Sequence, residues 1–264
     1  MKRRQFVKSA LITGTIAGLA SPQTFATMKK KNEPQEFYEL RIYTLKNNGQ
    51  QQLVENYYEQ AAIPSLNRLG IKNVGVFTEL LPQEFTKLFV LIPFSSLENY
   101  LTIEDSLNND NTYLTAAAPY LNAPATAPAY ERIESSLLKA FKQMPQLQVP
   151  EKKDRIFELR RYESPSEVTG KKKIEMFNDA GEITIFKRTG LTPVFFGETI
   201  IGEARPNLTY MLTFDNMAAH DSNWKTFVND PEWKKVSGMP EYANERILSN
   251  IRRTFLTPCK CSQV

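Results

Sequence analysis

The sequence predicts an α+β fold in which two tandem β-α-β-β-α-β units close on one another as a pseudo-dimeric barrel. Three observations carry that reading. The first is an internal repeat: FYELRIY (Phe37 to Tyr43) returns as IFELRRY (Ile156 to Tyr162) at an offset of 119. Leu69-Gly70-Ile71 answers Thr189-Gly190-Leu191, LFVLIPFSSL (Leu88 to Leu97) answers LTYMLTFDNM (Leu208 to Met217), and Asn109-Asp110 with Tyr113 answers Asn229-Asp230 with Trp233, each at 120. RIESSLLKAF (Arg132 to Phe141) matches RILSNIRRTF (Arg246 to Phe255) at 114, with the slip assigned to the Ala/Pro segment Asn122 to Tyr130. The second is that strands and helices segregate into a sheet with helices on one face. The third follows from the second: the uncovered sheet face must be buried, and two units can bury theirs against each other.

The elements read as follows. Phe37 to Thr44 alternates and is β-prone. Gly49 to Leu69 carries apolar residues at helical spacing, with Pro64 forcing a kink or break before the Gly70 stop. Lys72 to Leu80 and Lys87 to Phe94 are strands joined by a hairpin-length connection, Leu81 to Thr86. Ser95-Ser96-Leu97-Glu98 reads as a capping box, and a further helix over Asp110 to Leu121 precedes the strand Glu131 to Ala140. The second unit repeats the plan: strand Arg155 to Tyr162, helix Gly170 to Arg188, strands Thr192 to Ile201 and Asn207 to Phe214, helices Ala218 to Val228 and Pro231 to Ser237, and strand Arg246 to Leu256. The organisation is therefore a segment 1–26, a leader 27–35, a first repeat 36–143, a linker 144–154, a second repeat 155–258 and a tail 259–264.

Composition places the chain among ordinary globular proteins: 264 residues, 41% hydrophobic, 11% aromatic and 23% charged. Its net charge of +4 is local. Met1 to Ala26 holds four cations (Lys2, Arg3, Arg4, Lys8) and no acid, so 29 of the 33 basic residues remain beyond it, against 29 acidic ones. A neutral body argues against a nucleic-acid partner. The same segment runs from paired arginines through an apolar stretch to Thr24-Phe25-Ala26, which reads as a signal peptide and resembles a twin-arginine export signal. The expected setting is periplasmic or secreted, with the export machinery as a partner. No stretch is apolar for long enough to predict a membrane span.

The motifs F-Y-E-L-R-I-Y, the L-G-I and T-G-L turns and N-D-P-E-W-K-K (Asn229 to Lys235) resemble the NIPSNAP family. The resemblance implies ferredoxin-like repeats of the dimeric α/β-barrel group, which includes antibiotic-biosynthesis monooxygenases and haem-degrading enzymes. It implies no particular reaction. The expected function is binding of a small ligand or protein partner through the barrel, with a homo-oligomer as a further possibility. The alternative is a cofactor-independent small oxygenase or isomerase of the antibiotic-biosynthesis-monooxygenase type.

Strand alternation puts Glu39, Arg41 and Tyr43 on one face of the first strand, and Glu158, Arg160 and Tyr162 on the matching face of the fifth. If the apolar faces pack under the helices, both polar sets line one inter-sheet cavity. That makes them the candidate ligand-binding residues, with Glu–Arg pairing across strands as the structural alternative and acid–base work by Glu39 or Glu158 a third. His220, the single histidine, reads as a solvated residue at a helix start; a haem axial ligand on the corresponding helix is known in this structural group, which makes His220 the only haem candidate. No Ser-His-Asp triad, phosphate loop or metal cluster is legible, so neither metal nor other cofactor is expected. Trp224, Phe227 and Trp233 read as core, and Lys171 to Lys173 as solvated surface. Tyr57 and Tyr58 read as a strip for a neighbouring chain, and Cys259 and Cys261 as part of a frayed tail without a disulfide framework.

Overall fold

A computed structural model describes residues 34–81 and 86–264. The signal segment, nearly all of the leader and Pro82 to Phe85 of the first hairpin connection lie outside the described residues. The first repeat comprises β1 (Phe37–Leu45), α1 (Asn48–Tyr57), α2 (Ile63–Arg68), β2 (Gly75–Glu79), β3 (Thr86–Phe94), α3 (Leu97–Asn108), α4 (Asn111–Leu121) and β4 (Arg132–Ala140). The second comprises β5 (Ile156–Glu163), α5 (Glu167–Asn178), α6 (Glu182–Arg188), β6 (Thr192–Ile201), β7 (Asn207–Phe214), α7 (Met217–Asn229), α8 (Pro231–Ser237), α9 (Asn244–Ile247) and β8 (Asn250–Pro258).

All strand pairs are antiparallel, and they close in the order β1-β3-β2-β8-β5-β7-β6-β4. Each repeat thus contributes a four-stranded ferredoxin-like sheet, and two seams join them. At one seam Phe77 to Glu79 of β2 pair with Leu256 to Pro258 of β8; at the other Leu137 to Ala140 of β4 pair with Gly197 to Ile201 of β6. Closure removes the edges on which isolated sheets aggregate.

The layering reverses the orientation expected of β1 and β5. Leu40 and Ile42 turn inward with Phe89 and Leu91 of β3, and Phe157 and Leu159 of β5 turn inward with Met211 and Leu256, forming one barrel core that also holds Tyr38, Phe77, Leu138 and Phe195. Glu39, Arg41 and Tyr43 therefore lie on the outer face, under α1 to α4, and Glu158, Arg160 and Tyr162 under the second repeat's helices. The reason is volume. The inward face is shared by eight strands and takes the aliphatic and phenylalanine side chains. The polar residues reach helix-borne partners only from the outside.

Five local expectations change. Helix 49–69 is broken into α1 and α2 by a π-turn, Tyr58–Ala62, whose extra residue places Pro64 in the first turn of α2, where an N–H is not needed. Helix 170–188 divides at Gly181, which takes the left-handed conformation (φ 88°) between α5 and α6. Ser96 rather than Ser95 caps α3, its Oγ accepting from Asn99 N–H. Residues Asn244–Ile247 are helical, so the last strand begins at Asn250. Tyr43 pairs with Ile133 and Tyr162 with Ile251, so the last repeat anchor falls at an offset of 118 instead of 114.

The fifth is the tail, which is docked. Cys259 N–H and Gln263 N–H donate to the carbonyls of Val76 and Val74, extending the barrel edge along β2. Cys259 and Cys261 are half-buried against the first repeat's helix core and unbonded to each other. Burial, with Glu59 nearby, pushes the Cys261 thiol up to about 11, so it is a poor nucleophile at neutral pH. Val264 packs on the barrel core, as does Leu147 from the linker, whose N–H donates to Glu36 Oε2. These two side chains stopper the barrel end from which β1 and β5 start.

Candidate functional site

On the outer face, both predicted sets are internally satisfied. Arg41 Nε and Nη2 donate to Glu39 Oε1 and Oε2 at 2.8 and 2.9 Å, and Ser135 Oγ donates to Oε1 at 2.7 Å. The Tyr43 hydroxyl lies 2.8 Å from that of Tyr58 and 3.2 Å from that of Tyr120, while Tyr57 and Tyr113 hydroxyls are 2.9 Å apart. Tyr57 and Tyr58 are thus buried within their own repeat and leave no aromatic strip for a neighbour. Burial pushes the Tyr58 phenol well above its ordinary value, so it works as a neutral hydrogen-bonding group.

The second repeat is drier. Arg160 Nε donates to Glu158 Oε1 at 2.7 Å, Trp224 Nε1 donates to Glu158 Oε2 at 3.0 Å, and the guanidinium stacks 3.8 Å from the centre of the Trp224 ring. Tyr210 donates to Tyr162 at 2.9 Å. His220 is buried rather than solvated, because α7 turns it onto the sheet. Its Nδ1 meets Asp221 Oδ1 at 2.8 Å, and its Nε2 faces Glu158 Oε2 at 3.4 Å without hydrogen-bond geometry. Phe214 and Phe255 stand edge-on to the ring, and Trp224 is tilted beside it. The nitrogen that would ligate iron is therefore turned to a carboxylate in a space its own neighbours occupy, and the residues do not fit a haem. Lys173 also departs from its expected exposure: it is fully buried, 3.1 Å from Glu182 Oε2, among the Tyr162, Phe177 and Trp233 rings. Among the described residues no group of His, Cys, Asp and Glu could hold a metal ion.

The two predicted sets do not share a cavity. The cavity that does exist is the barrel's own lumen, at the end opposite Leu147 and Val264. It measures about 130 Å³. Leu40, Phe89 and Leu159 form its floor, Ser136, Thr199, Thr209 and Thr254 its hydroxyl-bearing wall, and Glu79, Lys87, Glu134, Arg161, Asn207 and Arg252 its rim. The barrel register explains this lining. Arg161 pairs with Arg252 and Thr209, Glu134 with Ile42, and Lys87 with Thr44, so the inward positions beyond the apolar core turn polar on all sides of the mouth. Glu163 holds the two arginines in place, accepting from Arg161 Nε at 3.0 Å and standing 3.1 Å from Arg252 Nε. Desolvation raises the Glu79 carboxyl, with Lys87 opposing. A sequence signal for this site exists: Arg161 breaks the apolar alternation Phe157, Leu159, and stands where the first repeat has Ile42.

The repeat seen in the barrel is also recognisable as a family signature, matched at residues 38–143 and again at 157–263 by the sequence model of NIPSNAP. The chain belongs to the NIPSNAP family. Both matches fall within the barrel, one on each half, so the lumen is built jointly by two NIPSNAP repeats. No curated protein matches the chain. Among solved structures it is similar to a candidate monooxygenase of Fusobacterium nucleatum, at 9% identity over 86% of this chain and 93% of that one, with a TM-score of 0.56. A candidate monooxygenase of Lactobacillus acidophilus is similar to the same degree, at 9% identity over 85% and 94%, with a TM-score of 0.56. At these identities the likeness is one of fold. Among the described residues no helix is long and apolar enough to cross a membrane.

Proposed function

We propose that this NIPSNAP protein is an exported binding protein that holds a small polar molecule in the open end of its barrel. The observation that carries the reading is the lumen: an apolar floor, a ring of hydroxyls and a charged rim, in a fold whose other end is stoppered. Pockets with apolar walls and a few convergent polar groups are the usual form of a small-molecule site. The volume of about 130 Å³ is close to the ~150 Å³ of a cavity that accepts one benzene ring, and is too small for a bicyclic substrate.

The oxygenase alternative has less support, because it calls for an acid or base left free to act. Glu39 and Glu158 are both spent on arginines, and neither faces the lumen. Export is supported by the Lys2-Arg3-Arg4 segment and the Thr24-Phe25-Ala26 cleavage pattern. Cell fractionation of the Arg3→Lys, Arg4→Lys variant checks it: the protein should be retained in the cytoplasm, and normal export would sink the twin-arginine assignment.

The binding role is tested by calorimetry with a panel of amino acids, short-chain acids, short-chain amines and single-ring aromatics. Thr254→Phe extends a ring into the lumen and should abolish binding of whichever compound the wild type takes. A compound bound equally well by this variant would overturn the assignment of the lumen as the site.

A further inference from the structure

The charge on the lumen rim is unevenly divided between the two repeats. The register makes Glu134 of β4 the counterpart of Arg252 of β8, and Ile42 of β1 the counterpart of Arg161 of β5. Where the second half presents two guanidinium groups, the first presents an acid and an aliphatic chain. Glu79 adds a second acid to the first half, offset in part by Lys87. A pocket between two related halves therefore has an acidic side and a basic side.

Each side has an unfilled valence. Glu79 Oε2 is shut off from water and meets no hydrogen-bond donor among the described residues, an arrangement that costs free energy until a donor arrives. Across the lumen Glu163 engages the Nε atoms of Arg161 and Arg252, which leaves the Nη groups of Arg252 without a carboxylate partner among the described residues. Arginine in this state presents a planar fork suited to a carboxylate. Between the two sides the floor offers only Leu40, Phe89 and Leu159.

We infer that the occupant is a small zwitterion with an apolar side chain, of the aliphatic α-amino acid class. Its side chain rests on the floor, its ammonium donates to Glu79, and its carboxylate accepts from Arg252. This inference rests on the lumen being the binding site. It adds what that reading leaves open, namely the charge and shape of the ligand.

Calorimetry with three matched probes decides it: L-leucine, 3-methylbutylamine, which lacks the carboxylate, and 4-methylpentanoate, which lacks the ammonium. Leucine should bind at least ~10-fold more tightly than either, the ratio set by one charged hydrogen bond. Glu79→Gln should weaken leucine and the amine while leaving 4-methylpentanoate unchanged. Arg252→Gln should weaken leucine and 4-methylpentanoate while leaving the amine unchanged. Either single-charge probe matching leucine, with Thr254→Phe still blocking it, overturns the zwitterion and spares the lumen. Leucine binding that survives Thr254→Phe overturns both, and failure of all three probes to bind overturns the zwitterion alone, the wider panel deciding the lumen.

Discussion

Replacing Glu158 with leucine should destabilise the protein by about 3–5 kcal/mol, the usual cost of stripping one partner from a buried ion pair. For a domain of this size that corresponds to a fall in Tm on the order of 6–20 °C. The carboxylate is fully buried and its three neighbours all depend on it: Arg160 through Nε, Trp224 through its indole N–H, and His220 by proximity. Without it the guanidinium, whose side chain is only 11% exposed, keeps its charge with no carboxylate beside it. The matching change in the first repeat, Glu39→Leu, should cost less, because the Arg41 side chain is 30% exposed and water can take over. Thermal melts of the two variants check the order. Equal losses, or a drop of under ~3 °C for Glu158→Leu, would show that the second cluster is no tighter than the first. Pairing Glu158→Leu with Arg160→Met should recover part of the loss, since removing both charges leaves neither unmatched.

Lys173→Met should cost a similar amount at neutral pH, about 3–5 kcal/mol, and this loss should depend on pH. The variant leaves Glu182 buried without its ammonium. Desolvation already raises the Glu182 carboxyl above 4.5, with Lys173 pulling it back down. A carboxyl raised in the folded state binds its proton more tightly there than in the unfolded chain. Its contribution is then fully present below the unfolded value and is lost as pH rises through the folded one. Removing Lys173 raises the folded value further and widens that window upward. The deficit of Lys173→Met relative to wild type should therefore be small near pH 4.5 and grow toward pH 7.5. Denaturant unfolding at both pH values measures it, and Lys173→Met with Glu182→Gln should lose the pH dependence. A deficit that stays flat with pH would mean that the aromatic packing around Lys173, and not its charge, holds the site.

Much of the fold was legible because the repeat is written in residues that make structure. FYELRIY and IFELRRY mark equivalent first strands, and strands 192–201 and 207–214 and the helix 231–237 fall where the pattern places them. Boundaries shifted where a local device was invisible in composition: the π-turn that accommodates Pro64, the left-handed Gly181, and a short helix in place of the start of the last strand. The site was harder to see. Alternation divides Glu39 from Leu40 but does not say which face meets the helices, and closing eight strands into one barrel decides that the apolar face goes inside. Once it does, the informative residues are those that interrupt the apolar face near its end, Arg161 and its partners Arg252 and Glu134. His220 and Lys173 were read as solvated because their charges are matched by residues distant in sequence, Glu158 and Glu182, which only the tertiary packing brings to them.

The central claim is that ligands enter the barrel between the two repeats, while the Glu–Arg–Tyr sets beneath the helices are structural. Backbone and indole N–H resonances separate these directly, since Thr199, Thr209 and Thr254 line the lumen and the Trp224 indole sits on Glu158. Titrating leucine into isotope-labelled protein should shift the amides of the three threonines and leave the Trp224 indole in place. Movement of the Trp224 indole with the threonines still would contradict the account and put the binding site under the helices of the second repeat.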